Sequence, residues 1–181
     1  MHNTDTYTGA SFSLQNRVLR LVWNLCYLIL FKYSPRPFHA WRSFVLRLFG
    51  AKLGKNVHIY PKVQIWAPWN LVIGNDVGVA NGVDLYSQGL ITLEDRVIIS
   101  QRSYLCTGTH DYTKKGHPLY TQPITVKKNA WVAAECFVGP GVTIGEGAVL
   151  GSRAAAYKDV APWTIVGGNP AKYIKDRILE A

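Results

Sequence analysis

From Leu53 to Ala161 an aliphatic residue returns at nearly every sixth position, each followed by small and polar residues. A recurrence this regular has to be read before any local propensity, because it dictates how the whole chain stacks. Units starting on the aliphatic residue run LGKNVH from 53, IYPKVQ from 59 and IWAPWN from 65. After a two-residue slip come IGNDVG, VANGVD and LYSQGL from 73, and after another come LEDRVI, ISQRSY and LCTGTH from 93. An interruption at 111–123 precedes VKKNAW, VAAECF, VGPGVT, IGEGAV, LGSRAA and the weaker AYKDVA.

Position five of these units is small or valine-like (Val57, Val77, Val97, Ser103, Thr109, Ala130, Cys136), with Trp69 as the bulky exception. Strand side chains alternate, so position five, position six and the next position one read in, out, in. The slips at 71–72, 91–92 and 124–125 mark one corner. Three short strands per coil, stacked in parallel, give a triangular prism filled by the aliphatic ladder. The expected class is all-β, with domain limits at 1–52, 53–165 and 166–181 and a loop at 111–123.

Ahead of the repeat, Ser13 is a candidate helix N-cap. Leu14, Val18, Leu21, Val22, Leu25, Leu28 and Ile29 follow at helical spacing up to Tyr33. SPRP at 34–37 ends that helix, and a second covers Phe38 to Phe49 before Gly50. The uninterrupted apolar run, Leu25 to Phe31, is far shorter than the roughly 20 residues that span a bilayer. Residues 1–12 read as a frayed polar tail without a secretory signal, which points to the cytoplasm.

The net charge of +9 is unevenly placed. No Asp or Glu lies between Thr6 and Asn75, a segment with nine Lys and Arg, whereas residues 76–181 hold eleven basic and ten acidic residues. Two readings of the basic helices stand together. They cap the open hydrophobic end of the repeat, and their Lys, Arg, Trp and Leu contact the inner face of the cytoplasmic membrane through residues 13–50. No stacking or groove-reading motif supports nucleic acid. Cys26, Cys106 and Cys136 lack the spacing of a disulfide framework or zinc knuckle. Cys106 has no adjacent base that would make it a nucleophile, and Cys136 is expected to be buried.

His110 is at position six and directly precedes the long loop, where an outward imidazole can take a proton from a hydroxyl and return it to a leaving group. Asp111 either orients that ring or opens the loop. The loop itself, DYTKKGHPLYTQP, is long for a tight solenoid and carries His117, a candidate substrate contact or a plain loop residue. Asp84, also at position six, is placed on the second face of coil two and His110 on the third face of coil three. A cyclic trimer would bring such faces together, with Asn81 beside Asp84.

The hexapeptides, the loop after THD and the closing phrase YKDVAPWTIVGGNPAKYIKDR resemble the hexapeptide-repeat acyltransferases over residues 53–178. The segment FSLQNRVLRLVW through SPRPFHAWRSFVLRLFGAKLG, with IYPKVQIWAPWNLVIG and THDYT, is similar to the colanic acid biosynthesis acetyltransferases. The resemblance implies a left-handed β-helix, a homotrimer, acetyl-CoA as co-substrate without a metal, and a sugar or lipid-linked oligosaccharide as acceptor. It implies His110 as the base; the repeat register adds Asp84 and Asn81, and adjacency to His110 adds Asp111, as candidates on the acceptor. Trp131, Ala133 and Ala134 fall near the thioester, Ser152, Tyr157 and Lys158 farther along, and Lys172 and Lys175, on an expected C-terminal helix, near the phosphates. A zinc carbonic anhydrase of the same fold would need three converging histidines. A non-catalytic scaffold would have no need of His110, the loop or the GNPAK tail.

Overall fold

The computed structural model describes residue 7 and residues 9–180. Three parallel sheets form the prism. The first stacks Lys52–Leu53, Leu71–Ile73, Ile91–Leu93, Ile124–Val126 and Thr143–Ile144. The second stacks His58–Ile59, Gly78–Val79, Ile98–Ile99, Trp131–Val132, Val149–Leu150 and Thr164–Gly167. The third stacks Gln64–Ile65, Asp84–Tyr86, Tyr104–Cys106, Phe137–Val138 and Ala155–Ala156. Position-one residues stand in register, Ile59 beside Val79 and Val79 beside Ile99, and all three are fully buried. Val57, Val77, Val97, Ala130, Cys136 and Ala148 are buried at position five, completing the dry interior.

One regularity is invisible in the hydrophobic pattern. Position four of unit after unit has positive φ: Asn56, Asp76, Arg96, Arg102, Asn129, Glu135 and Arg153, with glycine at 82, 141 and 147. These corners turn through a left-handed residue, a conformation open to glycine and asparagine and costly for arginine. Stacking of the coils holds the arginines there.

Helix α1 spans Leu14–Cys26 and continues as a π-helical turn over Tyr27–Phe31. Ser13 caps it, its hydroxyl accepting from the Asn16 amide at 3.3 Å. Helix α2 spans His39–Leu48. The two close the open end of coil one through its carbonyls. Between later coils, Ile73, Val77, Val79 and Leu85 carbonyls accept from amides of the coil before. Their equivalents in coil one, Leu53, Val57, Ile59 and Ile65, have no preceding coil, and buried carbonyls without partners are costly. Arg47 donates to Leu53 O (3.2 Å), Ser43 to Val57 O (3.4 Å), Arg42 to Ile59 O (2.6 Å) and the Trp23 indole to Ile65 O (2.7 Å). The cap is rich in arginine partly because what it covers needs donors.

Two expectations require correction. Residues 166–181 contain no helix among those described; Lys172–Asp176 is a strand, antiparallel to Thr164–Gly167. The last strand of the second sheet would otherwise present an unpaired edge, and a hairpin satisfies it where a helix would not. The tail is also less free than expected, since the Phe12 ring packs on Trp66 with centroids 4.7 Å apart.

Candidate active site

After Cys106 the chain leaves the prism. Gly108–His110 pairs antiparallel with Leu119–Thr121, His110 opposite Leu119, so the loop is a projecting β-arm. His110 is therefore on that arm rather than on the third face, and Thr109, expected inward, is only half-buried. The hexapeptide phase stops at the corner because antiparallel pairing replaces coil stacking. The His110 ring is exposed, with Nδ1 2.7 Å from the His117 carbonyl. A carbonyl only accepts, so Nδ1 carries the proton and Nε2 is the accepting nitrogen. His117 contributes through its backbone at φ 44°, while its ring lies 3.4 Å from the Tyr7 hydroxyl.

Asp111 does not orient the His110 ring. Its carboxylate accepts from the Thr113 amide at 3.1 Å and hydroxyl at 2.5 Å and pairs with Lys114 at 3.3 Å. The Thr113 hydroxyl is the main reason that this carboxyl is held below the ordinary aspartate range. The residue shapes the turn of the arm.

Asp84 opens the third-sheet strand of coil two, not the second face, because strands straddle the hexapeptide boundaries. It is half-buried, and desolvation pushes its carboxyl above the ordinary range. It lines a cavity of about 200 Å³ with Asn24 and Tyr27 of the helical segment and with Gln64, Ile65, Trp66 and Tyr86. Asn24 and Tyr27 lie far from the repeat in the chain, and helical spacing alone gave no signal for them. Asn81 is elsewhere, on an exposed turn where its side-chain carbonyl accepts from the Lys62 amide at 3.4 Å.

A ladder of rings, Trp66, Tyr86, Tyr104, Phe137 and Tyr157, climbs the outside of the third sheet with successive centroids 6.4, 5.9, 5.7 and 5.5 Å apart. It alternates between two columns. Where Tyr104 and Phe137 take one column, Cys106 and Gly139 leave room in the other. Cys106 is a small buried member of this packing, as Cys136 is of the interior.

The remaining candidates divide between two patches. Trp131 is exposed on the second sheet, its indole donating to the Ser100 hydroxyl at 2.9 Å. Its column continues through Val149 and Ile165 to Lys175, three strand steps or about 14 Å away. Lys172 is exposed on the same outer strand. Ala133 is buried, whereas Ala134 and Ser152 occupy the neighbouring corner. Tyr157 and Lys158 line a cavity of about 390 Å³ at another corner, with Pro170, Ala171 and Tyr173. The cavity and its one lysine, Lys158, suit part of an anionic thioester donor. Among the described residues no group of three or more His, Cys, Asp or Glu is placed to hold a metal ion, so the convergence required by a zinc anhydrase is not present there.

No family model matches the chain. The "Putative colanic acid biosynthesis acetyltransferase WcaF" of Escherichia coli is 42% identical to it over 163 residues, 90% of each chain. The chain belongs to that acetyltransferase family. Galactoside O-acetyltransferase of Escherichia coli is 28% identical over 75% of this chain and 68% of its own. A hexapeptide-repeat acetyltransferase from Vibrio cholerae, solved with acetyl coenzyme A, superimposes with a TM-score of 0.83 at 24% identity, covering 92% of this chain and 91% of its own. A galactoside acetyltransferase in complex with coenzyme A gives 0.79 at 22% identity over 92% and 84%. The fold of the acetyltransferase is therefore that of the hexapeptide-repeat enzymes.

In this acetyltransferase Asp84→Asn is expected to raise stability at neutral pH. A carboxyl whose folded pKa is raised favours the fold below its unfolded pKa, about 3.9, and loses that contribution as pH rises through the folded value. At neutral pH the amide removes the cost of a half-buried charge. The variant's melting temperature is expected to rise at pH 7 and to match native near pH 3. A lower melting temperature at pH 7 would contradict this.

Proposed function

We propose that the chain is an O-acetyltransferase that moves acetyl from acetyl-CoA to a sugar hydroxyl during exopolysaccharide synthesis, with the site shared between subunits of a homotrimer. The observation carrying the reading is the His110 ring, fixed by its Nδ1–H donation to the His117 carbonyl and presenting Nε2 outward. Nε2 takes the proton of the acceptor hydroxyl as that oxygen bonds to the thioester carbonyl carbon. As the carbon–sulfur bond breaks, the imidazolium returns the proton to the departing thiolate, and a sugar ester and free thiol result. Names of relatives support the chemistry: one is the "Putative colanic acid biosynthesis acetyltransferase WcaF" and another a galactoside O-acetyltransferase. Lys158, Lys172 and Lys175 supply positive charge for the donor's phosphates, with Trp131 toward the thioester.

Within one chain the candidates occupy separate patches, and no hydrogen bond or ion pair joins Asp84 to His110. Apposition of neighbouring faces around a three-fold axis would close the gap. The place of work is the cytoplasm, against the inner face of the membrane.

Thiol release from acetyl-CoA with cell-envelope sugars tests the activity. Mixing subunits tests the site: His110→Ala and Asp84→Ala chains, each weak alone, regain turnover when co-assembled if one chain supplies Asp84 and the next His110. No regain in mixed trimers, or a monomeric native protein, would overturn the shared site.

A further inference from the structure

The helical cap has two apolar faces, and coil one uses only one of them. Trp23, Phe31, Val45 and Leu46 are buried against the prism. On the opposite side of α1 and its π-helical extension, Leu14, Val18, Leu21, Leu25 and Ile29 form a stripe at spacings of four, three, four and four, exposed by 72, 53, 61, 54 and 71%. In α2, Trp41, Phe44 and Leu48 repeat the pattern at 39, 51 and 67%. An end cap meeting only water should carry a polar outer face. This one carries leucine where serine or glutamate would serve.

We infer that this outer face of the cap docks on the surface of a bilayer bearing anionic headgroups. Charge selects that occupant. Arg17, Arg36 and Arg47 are exposed in the helical segment, Arg36 beside the Tyr60 ring and Arg47 donating to Leu53 O and Gly54 O at the rim of coil one, and the segment has no Asp or Glu. A second copy placing the same face against itself would bring cations together without an acidic partner, whereas anionic headgroups complement them. Leucine, isoleucine and tryptophan flanked by arginine is the composition of helices that lie in the interface with the apolar side among acyl chains. Among the described residues no helix is long and apolar enough to cross a membrane, which leaves the flat orientation. This inference deepens the proposed function by placing the enzyme where a lipid-linked acceptor would be found, but lipid contact does not depend on turnover.

The test is co-sedimentation of the full chain with phosphatidylcholine vesicles, with and without phosphatidylglycerol. The native protein pellets with the anionic vesicles and is released by high salt. Leu21→Glu with Leu25→Glu weakens binding roughly tenfold or more, at unchanged melting temperature and unchanged turnover of a soluble sugar. Arg17→Glu with Arg36→Glu weakens binding to anionic vesicles selectively. Native-level binding by the leucine variant would overturn the proposal. So would a native chain that ignores both vesicles, or a leucine variant that loses self-association while vesicle binding is absent. Failure of the acetyltransferase reading would show separately, as no thiol release with any sugar in solution.

Discussion

Replacing His110 by alanine lowers acetyl transfer about 10²–10⁴-fold, the range that one positioned general base contributes. On the proposed mechanism the loss falls on kcat, because Nε2 would act on a proton that moves only in the transition state, and acceptor KM changes little. The ring is exposed at the end of an arm strand and removes no buried packing, so the melting temperature should stay near native. His110→Gln keeps a polar group at the site without the proton exchange and should be about as inactive. Steady-state thiol release with the three proteins at matched concentration decides the matter. Equal rates in native and alanine chains would remove His110 as the base.

Trp23→Ala has the largest expected effect on stability, a loss of about 3–5 kcal/mol, the range for emptying a buried aromatic site. Trp23 is fully buried, and its ring meets Tyr27, Phe31 and Phe49 with centroids 5.1 to 6.0 Å away. Its indole also satisfies Ile65 O, so Trp23→Phe, which keeps much of the volume but leaves that carbonyl bare, should cost about 1–3 kcal/mol. Arg42 offers a second route to the same failure. Besides Ile59 O, its guanidinium reaches the Ser34 hydroxyl, Pro35 O and Arg36 O, pinning the SPRP turn to the cap. Urea unfolding measures each variant. A Trp23→Ala midpoint close to native would mean that the prism stands without its cap.

The prism was legible because its signal is redundant: a slip in one unit, such as the two residues at 71–72, is corrected by the next. His110 was found without its true setting. Hexapeptide phase predicts direction only while coils stack, and after Cys106 the chain pairs with itself. At the C-terminus, Lys172 to Asp176 carries no pattern that distinguishes helix from strand, and the deciding factor is the otherwise unpaired edge of Thr164–Gly167. In the cap, the strongest periodicity marked the outward face. The inward one is built from fewer residues, among them Phe31 and Trp23, and Trp23 depends on a carbonyl, Ile65 O, 42 positions downstream. Asn24 and Tyr27 in the Asp84 cavity were out of reach for the same reason.

Both ends of the stack are sealed, by side-chain donors at one end and by a hairpin at the other, so the chain cannot gain a coil at either end without breaking a seal. That makes the solenoid a ruler of fixed graduation. Between Trp131 and Lys175 it marks three strand steps, about 14 Å, and a donor held at both marks must have that span between its reactive end and its charged end. Lengthening the repeat by one coil between these residues would move the marks apart by about 4.8 Å, so, on the proposed assignment of Trp131 and Lys175 to the donor, selectivity for donor length would be written into coil number rather than into any single side chain.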